Sequence, residues 1–319
     1  MARFLLMGGL GNQLFQLAAG LSYSQDVTVL VDKLGNPRRN ETGEPEVASF
    51  TLPDSVKIES YTSATLISRK LINFGIRLGA RIPRRNWKIK IYEILVNLVS
   101  PYYAKEGIGI NLSTGTGFDS EFKVSRNRLN IGYFQAVDFC KKDQVFQKLM
   151  SLKIAKPSNQ FCVLEKIASE AKPIIVHVRL GDYLKEESFG IPSKRYYRQG
   201  IHRLNKSREE TPIWLFSNDP GEAIKLIPSI YLGRVFMVPS QGLSSAETLE
   251  LMRLGCAYVI ANSTFSWWGA MLSYNKEPEV VIPTPWFKSG ITPNTIYPDP
   301  WTQIAAEYEN FATETWSKK

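Results

Sequence analysis

Residues 174–183 read Ile-Ile-Val-His-Val-Arg-Leu-Gly-Asp-Tyr, an apolar run that leads directly into a charged turn. The run from Ile174 to Val178 is β-branched except at His177, which predicts a strand that is covered on both faces. His177 and Arg179 lie two residues apart, so in an extended chain both side chains leave the same face. In an open α/β sheet, ligands bind beyond the carboxyl ends of the strands. The stretch therefore predicts a binding site at a strand end; the alternative is a surface Arg–Asp ion pair that closes the strand.

The second half of the chain alternates predicted strands with predicted helices, which indicates a parallel sheet. The predicted strands cover 174–180, 213–217, 235–238, 257–261 and 280–282. The predicted helices lie near 194–205, 221–227, 245–255, 265–274 and 302–315. Ser244 and Glu247 have the spacing of a capping box at the third of these helices. Right-handed crossovers bring the strand ends to one edge of the sheet.

Polar residues follow several of these strands. Asn218 and Asp219 follow the second strand, and the segment 262–266 (Asn-Ser-Thr-Phe-Ser) follows the fourth. Ser263 or Thr264 is expected to cap the next helix, whose N–H groups would face the same edge. An arginine, hydroxyl groups and a helix N-terminus suit a diphosphate, and an acid such as Asp219 or Glu247 suits the N–H edge of guanine. For Trp267 and Trp268, which come next, the favoured interpretation is helix-packing core.

The first half opens as a βαβ unit. A strand is predicted over Phe4–Met7, an amphipathic helix after the glycine-rich turn 8–13, and a second strand over Val27–Val31 that ends at Asp32. Gly9 and Gly11 predict a turn whose N–H groups face an anion. The dinucleotide fingerprint requires Gly or Ala at position 14, where Leu stands, so a nicotinamide-dependent oxidoreductase is kept as an alternative. This half closes with a predicted strand over 130–135 and a helix over 139–152.

The composition of the chain indicates its domain number, its class of partners and its cellular compartment. The chain has 319 residues, enough for two domains of ordinary size, and residues 153–159 mark the predicted boundary, giving domains 1–155 and 156–319. The net charge of +9 favours acidic partners such as nucleotides, sugar phosphates, anionic lipid or nucleic acid. Three cysteines without ligand spacing argue against a disulfide scaffold and for a reducing compartment. No run of about 18 apolar residues occurs, so no membrane-spanning helix is predicted and a cytoplasmic location is expected.

Residues 69–90 form a basic segment with eight Lys or Arg and no acid, interleaved with apolar residues. One interpretation is a helix that contacts an anionic membrane surface, which would place the protein peripherally on the inner face of the plasma membrane. The other is a solvated helical face. A basic nucleic-acid-binding protein is a rival of another class, but no recognised nucleic-acid module accompanies the charge, so no nucleic-acid partner is expected.

With these motifs together, the sequence resembles the bacterial α-1,2-fucosyltransferases of glycosyltransferase family 11. Four segments carry the resemblance, in the order of the family: Gly8-Gly-Leu-Gly-Asn-Gln-Leu-Phe-Gln16, His177-Val-Arg-Leu-Gly-Asp-Tyr183, Phe216-Ser-Asn-Asp219 and Asn262-Ser-Thr-Phe-Ser-Trp-Trp-Gly-Ala270. The region from about 35 to 125 matches no recognised motif. Two positions depart from the family pattern: Leu180 stands where many members have Arg, and Thr248 stands where an acid is common.

The resemblance implies an α/β GT-B fold, in which two Rossmann-like domains face a cleft and the C-terminal one binds GDP-fucose. It implies inverting transfer of L-fucose to a galactoside 2-hydroxyl without a metal or other cofactor, in surface polysaccharide or oligosaccharide synthesis such as that of O-antigen. The implied partners are GDP-fucose and a galactose-terminated acceptor glycan, which in this setting can be lipid-linked. The sequence contains no Asp-x-Asp motif for a divalent cation.

The resemblance also implies roles for residues. Arg179 would bind the β-phosphate and His177 the guanine, while Asn12 would act from the N-terminal domain. The predicted nucleotide-binding set is completed by Gly9, Gly11, Asn218, Asp219, Glu247, Ser263, Thr264, Phe265 and Ser266. Since the acceptor hydroxyl must lose a proton, a general base is expected. Asp182 is the candidate by position, with the orientation of Arg179 as its alternative role.

Overall fold

A computed structural model of the protein describes residues 1–32, 35–61, 70, 109–113, 123–181, 183, 189–288 and 294–308. The chain divides into two compact units. One consists of Met1–Lys156 with Pro293–Pro298, and the other of Pro157–Thr292 with Asp299–Lys319. The short segment ending at Pro298, which the sequence prediction assigned to the C-terminal domain, thus belongs to the first unit.

The first unit contains a five-stranded parallel sheet. Its strands and those of a small antiparallel pair are β1 (Ala2–Leu5), β2 (Val27–Asp32), β3 (Phe50–Thr51), β4 (Val56–Tyr61), β5 (Gly109–Leu112), β6 (Arg128–Ile131) and β7 (Lys153–Ile154). Helices α1 (Leu10–Tyr23) and α2 (Asp143–Met150) accompany them. The sheet order is β4-β2-β1-β6-β5. β2 is buried along its whole length, and α1 buries all but two of its residues, which explains their apolar sequences.

The second unit contains a six-stranded parallel sheet. Its strands are β8 (Ile174–Val178), β9 (Ile213–Ser217), β10 (Val235–Met237), β11 (Ala257–Val259), β12 (Glu279–Thr284) and β13 (Thr302–Ala305), in the order β10-β9-β8-β11-β12-β13. The helices are α3 (Asn159–Ala171), α4 (Lys194–Asn205), α5 (Pro220–Ala223), α6 (Ser245–Arg253) and α7 (Thr264–Met271). The predicted α/β class with two Rossmann-like domains, as in the GT-B fold, is confirmed.

Helix α4 shows how the second sheet is covered. Ser193 caps it by accepting a hydrogen bond from the N–H of Tyr196 at 3.2 Å. The helix buries Tyr196 and its neighbours on one face, and the Tyr196 hydroxyl donates to the Ile260 carbonyl at 2.6 Å. A Cβ at Gly200 would lie 2.8 Å from a methyl of Val259, so the absence of a side chain lets the helix approach the sheet closely.

Several sequence predictions are corrected by the structure. Residues 302–305, predicted as the start of a helix, form β13, because they pair in parallel with β12. The predicted strand over 130–135 ends at Ile131, and the predicted helix over 139–152 is shorter, as α2. The basic segment 69–90, apart from Lys70, lies outside the described residues. Among the helices that the structure describes, none is both long and apolar enough to cross a bilayer.

Candidate active site

The second sheet has a topological switch point between β8 and β11. From β8 the chain moves outward to β9 and β10 on one side, and it then returns to β11 and continues to β12 and β13 on the other. In open α/β sheets, ligands bind in the crevice at the carboxyl ends of the two strands that flank such a reversal. Of the predicted residues, His177 lies near the end of β8 and Arg179 directly follows it, and the segment 262–266 follows β11. The structure therefore brings together the residues that the sequence placed at one edge.

His177 lies at the end of β8 and is 4% exposed. The centroid of its ring lies 6.2 Å from that of Phe265, so the end of β8 lies beside the N-terminus of α7. Burial, and second the Arg179 guanidinium, lower the pKa of His177 to about 3. The ring is therefore neutral near pH 7 and carries one N–H donor and one acceptor nitrogen. Its Nδ1 is buried and has no hydrogen-bond partner among the described residues, so a ligand can supply one.

Arg179 follows β8 directly and is half-buried, with its guanidinium 5.8 Å from the centroid of the Tyr183 ring. The turn behind it depends on Asn218, whose Oδ1 accepts from the N–H of Leu180 at 2.9 Å. Gly181 has a φ of +66°, and a Cβ there would lie 2.3 Å from Nδ2 of Asn218. Asn218 thus fixes the turn that presents Arg179. The candidate base Asp182 lies outside the described residues.

Asp219 sits at the end of β9 and caps α5. Its N–H donates to the Ser217 hydroxyl at 3.0 Å, and its Oδ1 accepts from the N–H of Glu222 at 3.2 Å. A carboxylate at a helix N-terminus is favoured by the helix dipole. The structure therefore gives Asp219 a role in the local fold, next to the turn that Asn218 holds.

The N-terminus of α7 provides the other wall. The Ser263 hydroxyl accepts from the N–H of Phe265 at 3.4 Å, and the Ser266 hydroxyl donates to the Ser263 carbonyl at 3.3 Å. Ser266 is 1% exposed, whereas Thr264 and Phe265 are half-buried. Thr264 and Phe265 are therefore the residues of this turn that a ligand can reach. The helix N-terminus adds partial positive charge at the same edge.

Trp267 and Trp268, the next residues of α7, are fully buried and pack edge to face with ring centroids 5.0 Å apart. The interpretation of this pair as core is confirmed.

Glu247, predicted to read guanine, is engaged elsewhere. Its carboxylate accepts from the N–H of Ser158 at 2.6 Å and from the N–H and hydroxyl of Ser244 at 2.7 and 2.9 Å. Burial raises the pKa of Glu247, but the hydrogen bonds from Ser244 and Ser158 outweigh it, so the pKa is lowered. The predicted capping box is confirmed. Glu247 joins the starts of α3 and α6, while its contact with guanine stays a prediction.

Glu250, the other acid of α6, is also used by the fold. It forms a buried ion pair with Arg253 at 2.7 Å, and it accepts from the Tyr274 hydroxyl. Both acids of α6 are thus satisfied by their own chain.

The glycine-rich turn after β1 is closed by a carboxylate of the chain itself. Gly8 has a φ of +67°, and the N–H of Leu10 donates to Oε2 of Glu46 at 2.6 Å. Glu46 is 5% exposed. One N–H of this turn is thus taken by a carboxylate of the chain, and the Arg38 guanidinium also lies beside Gly9. That Gly9 and Gly11 face an external anion stays a prediction.

Asn12 lies in the first turn of α1. Its Oδ1 accepts from Nε2 of Gln135 at 2.9 Å. Gln135 lies four residues beyond the end of β6, at the switch point of the first sheet. It was missed in the sequence, where its position as the polar last residue of the predicted strand over 130–135 was the signal that could have found it.

Comparison with known proteins identifies the family. The family model for glycosyl transferase family 11 matches residues 118–305, more than half of the chain. The chain belongs to glycosyltransferase family 11. An alpha-1,2-colitosyltransferase from Escherichia coli is 24% identical over 312 residues, covering 94% of this chain and 97% of that protein. The O-antigen biosynthesis glycosyltransferase WbnK from Escherichia coli is 25% identical over 326 residues, covering 94% of this chain and 99% of its own length.

A solved structure of the fucosyltransferase NodZ from Bradyrhizobium also aligns with the chain. The TM-score is 0.46 at 15% identity, and the alignment covers 86% of this chain and 93% of that one.

The family 11 match contains the whole candidate edge of the second sheet. One residue of the predicted polar segment 262–266, to which the sequence analysis assigned no role of its own, is notable within this region. Asn262 is 1% exposed, and its Nδ2 donates to the carbonyl of Phe189 at 2.9 Å. Its carbonyl accepts from the Tyr183 hydroxyl at 3.1 Å, and its Oδ1 is buried without a hydrogen-bond partner among the described residues. In this family 11 chain, Asn262 and His177 thus each have one buried polar atom at the switch point that has no hydrogen-bond partner among the described residues.

Proposed function

We propose that this family 11 glycosyltransferase moves L-fucose from GDP-β-L-fucose to the 2-hydroxyl of a galactoside, with inversion at the sugar C1. The observation that carries the proposal is the switch point of the second sheet. There Arg179, a neutral His177 and the N-terminus of α7 meet at one edge. A guanidinium and helix N–H groups suit a diphosphate, and a neutral imidazole beside an aromatic ring suits a nucleoside.

The chemistry follows from where charge develops. Breaking the C1–O bond leaves negative charge on GDP while the sugar becomes oxocarbenium-like. Donors that are fixed before the reaction and aimed at this charge stabilise the transition state most. Arg179 is fixed by the turn that Asn218 and Gly181 hold. We infer that Arg179 and the first N–H groups of α7 neutralise the leaving diphosphate, so that a divalent cation is not required.

The identity of the acceptor is supported only by the names of the two relatives. One relative is named for an α-1,2 linkage and the other for O-antigen biosynthesis. These names support a glycan acceptor and a 2-hydroxyl as the reacting group. The proton of that hydroxyl needs a base, for which Asp182 remains the candidate by sequence position.

A donor screen tests the proposal. Calorimetric titrations with GDP-fucose, GDP-mannose, UDP-galactose and NAD should give tight binding to the GDP sugars, and a nucleotide-activated colitose should be included because of the relative named for that sugar. Incubation with a β-galactoside should then give one product, whose linkage is read by NMR. Tighter binding of UDP-galactose or NAD than of GDP-fucose would reject GDP-fucose as the donor. A product linked at another hydroxyl would reject the α-1,2 assignment.

A further inference from the structure

The first sheet has a switch point of its own. The chain passes from β1 to β2 and β4 on one side, while β6 and β5 lie on the other, so the reversal falls between β1 and β6. Gln16 ties the two strand ends together. Its Oε1 accepts from the N–H of Met7 at 2.9 Å, and its Nε2 donates to the carbonyl of Gly132 at 3.2 Å. Gln16 is fully buried, so this edge is held rigidly by the chain.

Gln135 is the unusual residue at this edge. It is 6% exposed, and its Nε2 donates to Oδ1 of Asn12 at 2.9 Å. Its Oε1 is buried and has no hydrogen-bond partner among the described residues. A buried amide oxygen without a donor is destabilising, and in a native protein such an atom calls for a specific explanation. A hydroxyl donor brought by a ligand supplies one.

The backbone beside Gln135 is strained. Phe134 has a φ of +54°, a conformation that bulky residues rarely adopt. Its ring packs edge to face against Phe4 at 5.4 Å and against Phe139 at 6.0 Å, between ring centroids. These contacts hold the strained residue and with it the position of Gln135. Backbone strain of this kind is concentrated at functional sites, where the surrounding structure maintains it.

The charge at this edge selects the ligand. The N-terminus of α1 already holds the Glu46 carboxylate, which accepts from the N–H of Leu10. Asn12 and Gln135 contribute neutral amides. Nη1 of Arg38 and Oε2 of Glu46 lie 3.7 and 3.6 Å from the point where a Cβ on Gly9 would stand, so the two charges at this turn offset each other. The edge therefore suits a neutral ligand rich in hydroxyl groups, which would find an acceptor in Oε1 of Gln135.

We propose that Gln135 is a positioning residue for the acceptor sugar. It orients Asn12 through Nε2 and accepts, through Oε1, a hydrogen bond from a hydroxyl of the acceptor galactoside. The inference rests on the proposed function for the identity of the acceptor as a galactoside.

Substitution of Gln135 tests the inference. Gln135→Met keeps the length of the side chain and removes both polar atoms, so the fold should be retained and the thermal midpoint should change little. We expect kcat/KM for methyl β-galactoside to fall about tenfold or more, because one neutral hydrogen bond and the orientation of Asn12 are lost. The affinity for GDP should stay within about twofold. Gln147→Met, at an exposed glutamine of α2, is the matched control and should behave like the parent.

A second variant separates positioning from binding. Gln135→Glu keeps oxygen acceptors for the hydroxyl but loses the N–H that orients Asn12. We expect KM for the galactoside to stay near that of the parent while kcat falls. If KM rose and kcat fell by the same factors in both variants, and the thermal midpoint also fell, Gln135 would have a structural role and the inference would be overturned.

Monodeoxy galactosides identify the hydroxyl. In the parent, removal of the hydroxyl that Gln135 binds should weaken the galactoside about tenfold, and the same removal should have almost no further effect in Gln135→Met. Binding is read by titration of each galactoside into the GDP-saturated enzyme, so it does not depend on transfer. Gln135-dependent binding without fucose transfer would reject the proposed function alone. The inference would be overturned if the parent bound no galactoside. It would also be overturned if each deoxygalactoside lost the same factor in affinity for the parent and for Gln135→Met.

Discussion

Glu247→Gln decides between two roles for this acid. If Glu247 joins two helices, the substitution should lower stability and leave nucleotide binding unchanged. If it reads guanine, the reverse should hold. The side chain is nearly the same size in both residues, and Gln is accepted at this position of a capping box. The difference lies in Ser158, whose N–H donates to the second carboxylate oxygen at 2.6 Å.

The magnitude follows from these contacts. Each hydrogen bond from a backbone N–H to a charged carboxylate contributes about 1.5–3 kcal/mol. A glutamine oxygen can accept from Ser244 or from Ser158, and its amide NH2 then faces the other N–H. We therefore expect a loss of about 3 kcal/mol in the free energy of unfolding, since one charge-assisted hydrogen bond is lost and one half-buried donor is left unmet. For a domain of this size that corresponds to a fall of about 6–12 °C in the thermal midpoint.

The effect should depend on pH. Because the pKa of Glu247 is lowered from its ordinary 4.5 in the folded state, its contribution to stability is fully present above that value. It is lost as the pH falls through the lower, folded-state pKa. The difference in thermal midpoint between the parent and Glu247→Gln should thus be constant from about pH 8 to about pH 6 and should narrow below about pH 4.5.

Calorimetry and GDP titration complete the test. The affinity of Glu247→Gln for GDP, measured well below its thermal midpoint, should lie within about twofold of the parent. Glu222→Gln is the control, because Glu222 also follows an N-cap by three residues but pairs with the exposed Lys225. It should change stability by about 0.5 kcal/mol or less. An unchanged thermal midpoint with about tenfold weaker GDP binding would refute the capping role and would support a contact between Glu247 and guanine.

Three further predictions concern the proposed nucleotide site. Arg179→Lys should retain the fold and lose about 10²- to 10³-fold in turnover, because a point charge cannot replace a bidentate guanidinium, whereas Arg195→Lys, at an exposed ion pair, should be mild. Transfer should survive excess EDTA, and activity that disappears with the chelator and returns with Mn²⁺ would contradict the proposed mechanism. Gly181→Ala should displace Asn218 and lower both stability and turnover, whereas Gly233→Ala, where a Cβ meets nothing within 4 Å, should be close to neutral in a thermal melt.

Much of the second unit could be predicted from the sequence, because its signals are local. The strand over 213–217 and the helix over 194–205 have the predicted bounds, since an apolar run and a Ser193 cap define them. The position of the site was predictable for a related reason. Parallel strands bring their carboxyl ends to one edge, so polar residues that follow buried strands meet there.

The errors arise where distant contacts decide. Residues 302–305 form a strand because β12 pairs with them, and four residues carry too little pattern to distinguish strand from helix. The capping box of Ser244 and Glu247 was visible, but the N–H of Ser158, 89 residues away in sequence, was not. Likewise, the contact of the Leu10 N–H with Glu46, 36 residues away in sequence, could not be predicted from the glycine-rich turn alone.

The two sheets share a topology that favours ligands at a switch point, yet their charges differ. In the first, the Glu46 carboxylate at the N-terminus of α1 lies beside the Arg38 guanidinium near Gly9, so their charges offset each other, while Asn12 and Gln135 are amides. In the second, Arg179 stands beside the N-terminus of α7 and a histidine that is neutral because burial and the arginine lower its pKa. A diphosphate is attracted more strongly by the second arrangement than by the first, where the glutamate offsets the arginine. We therefore expect the nucleotide at the second sheet and a neutral sugar at the first.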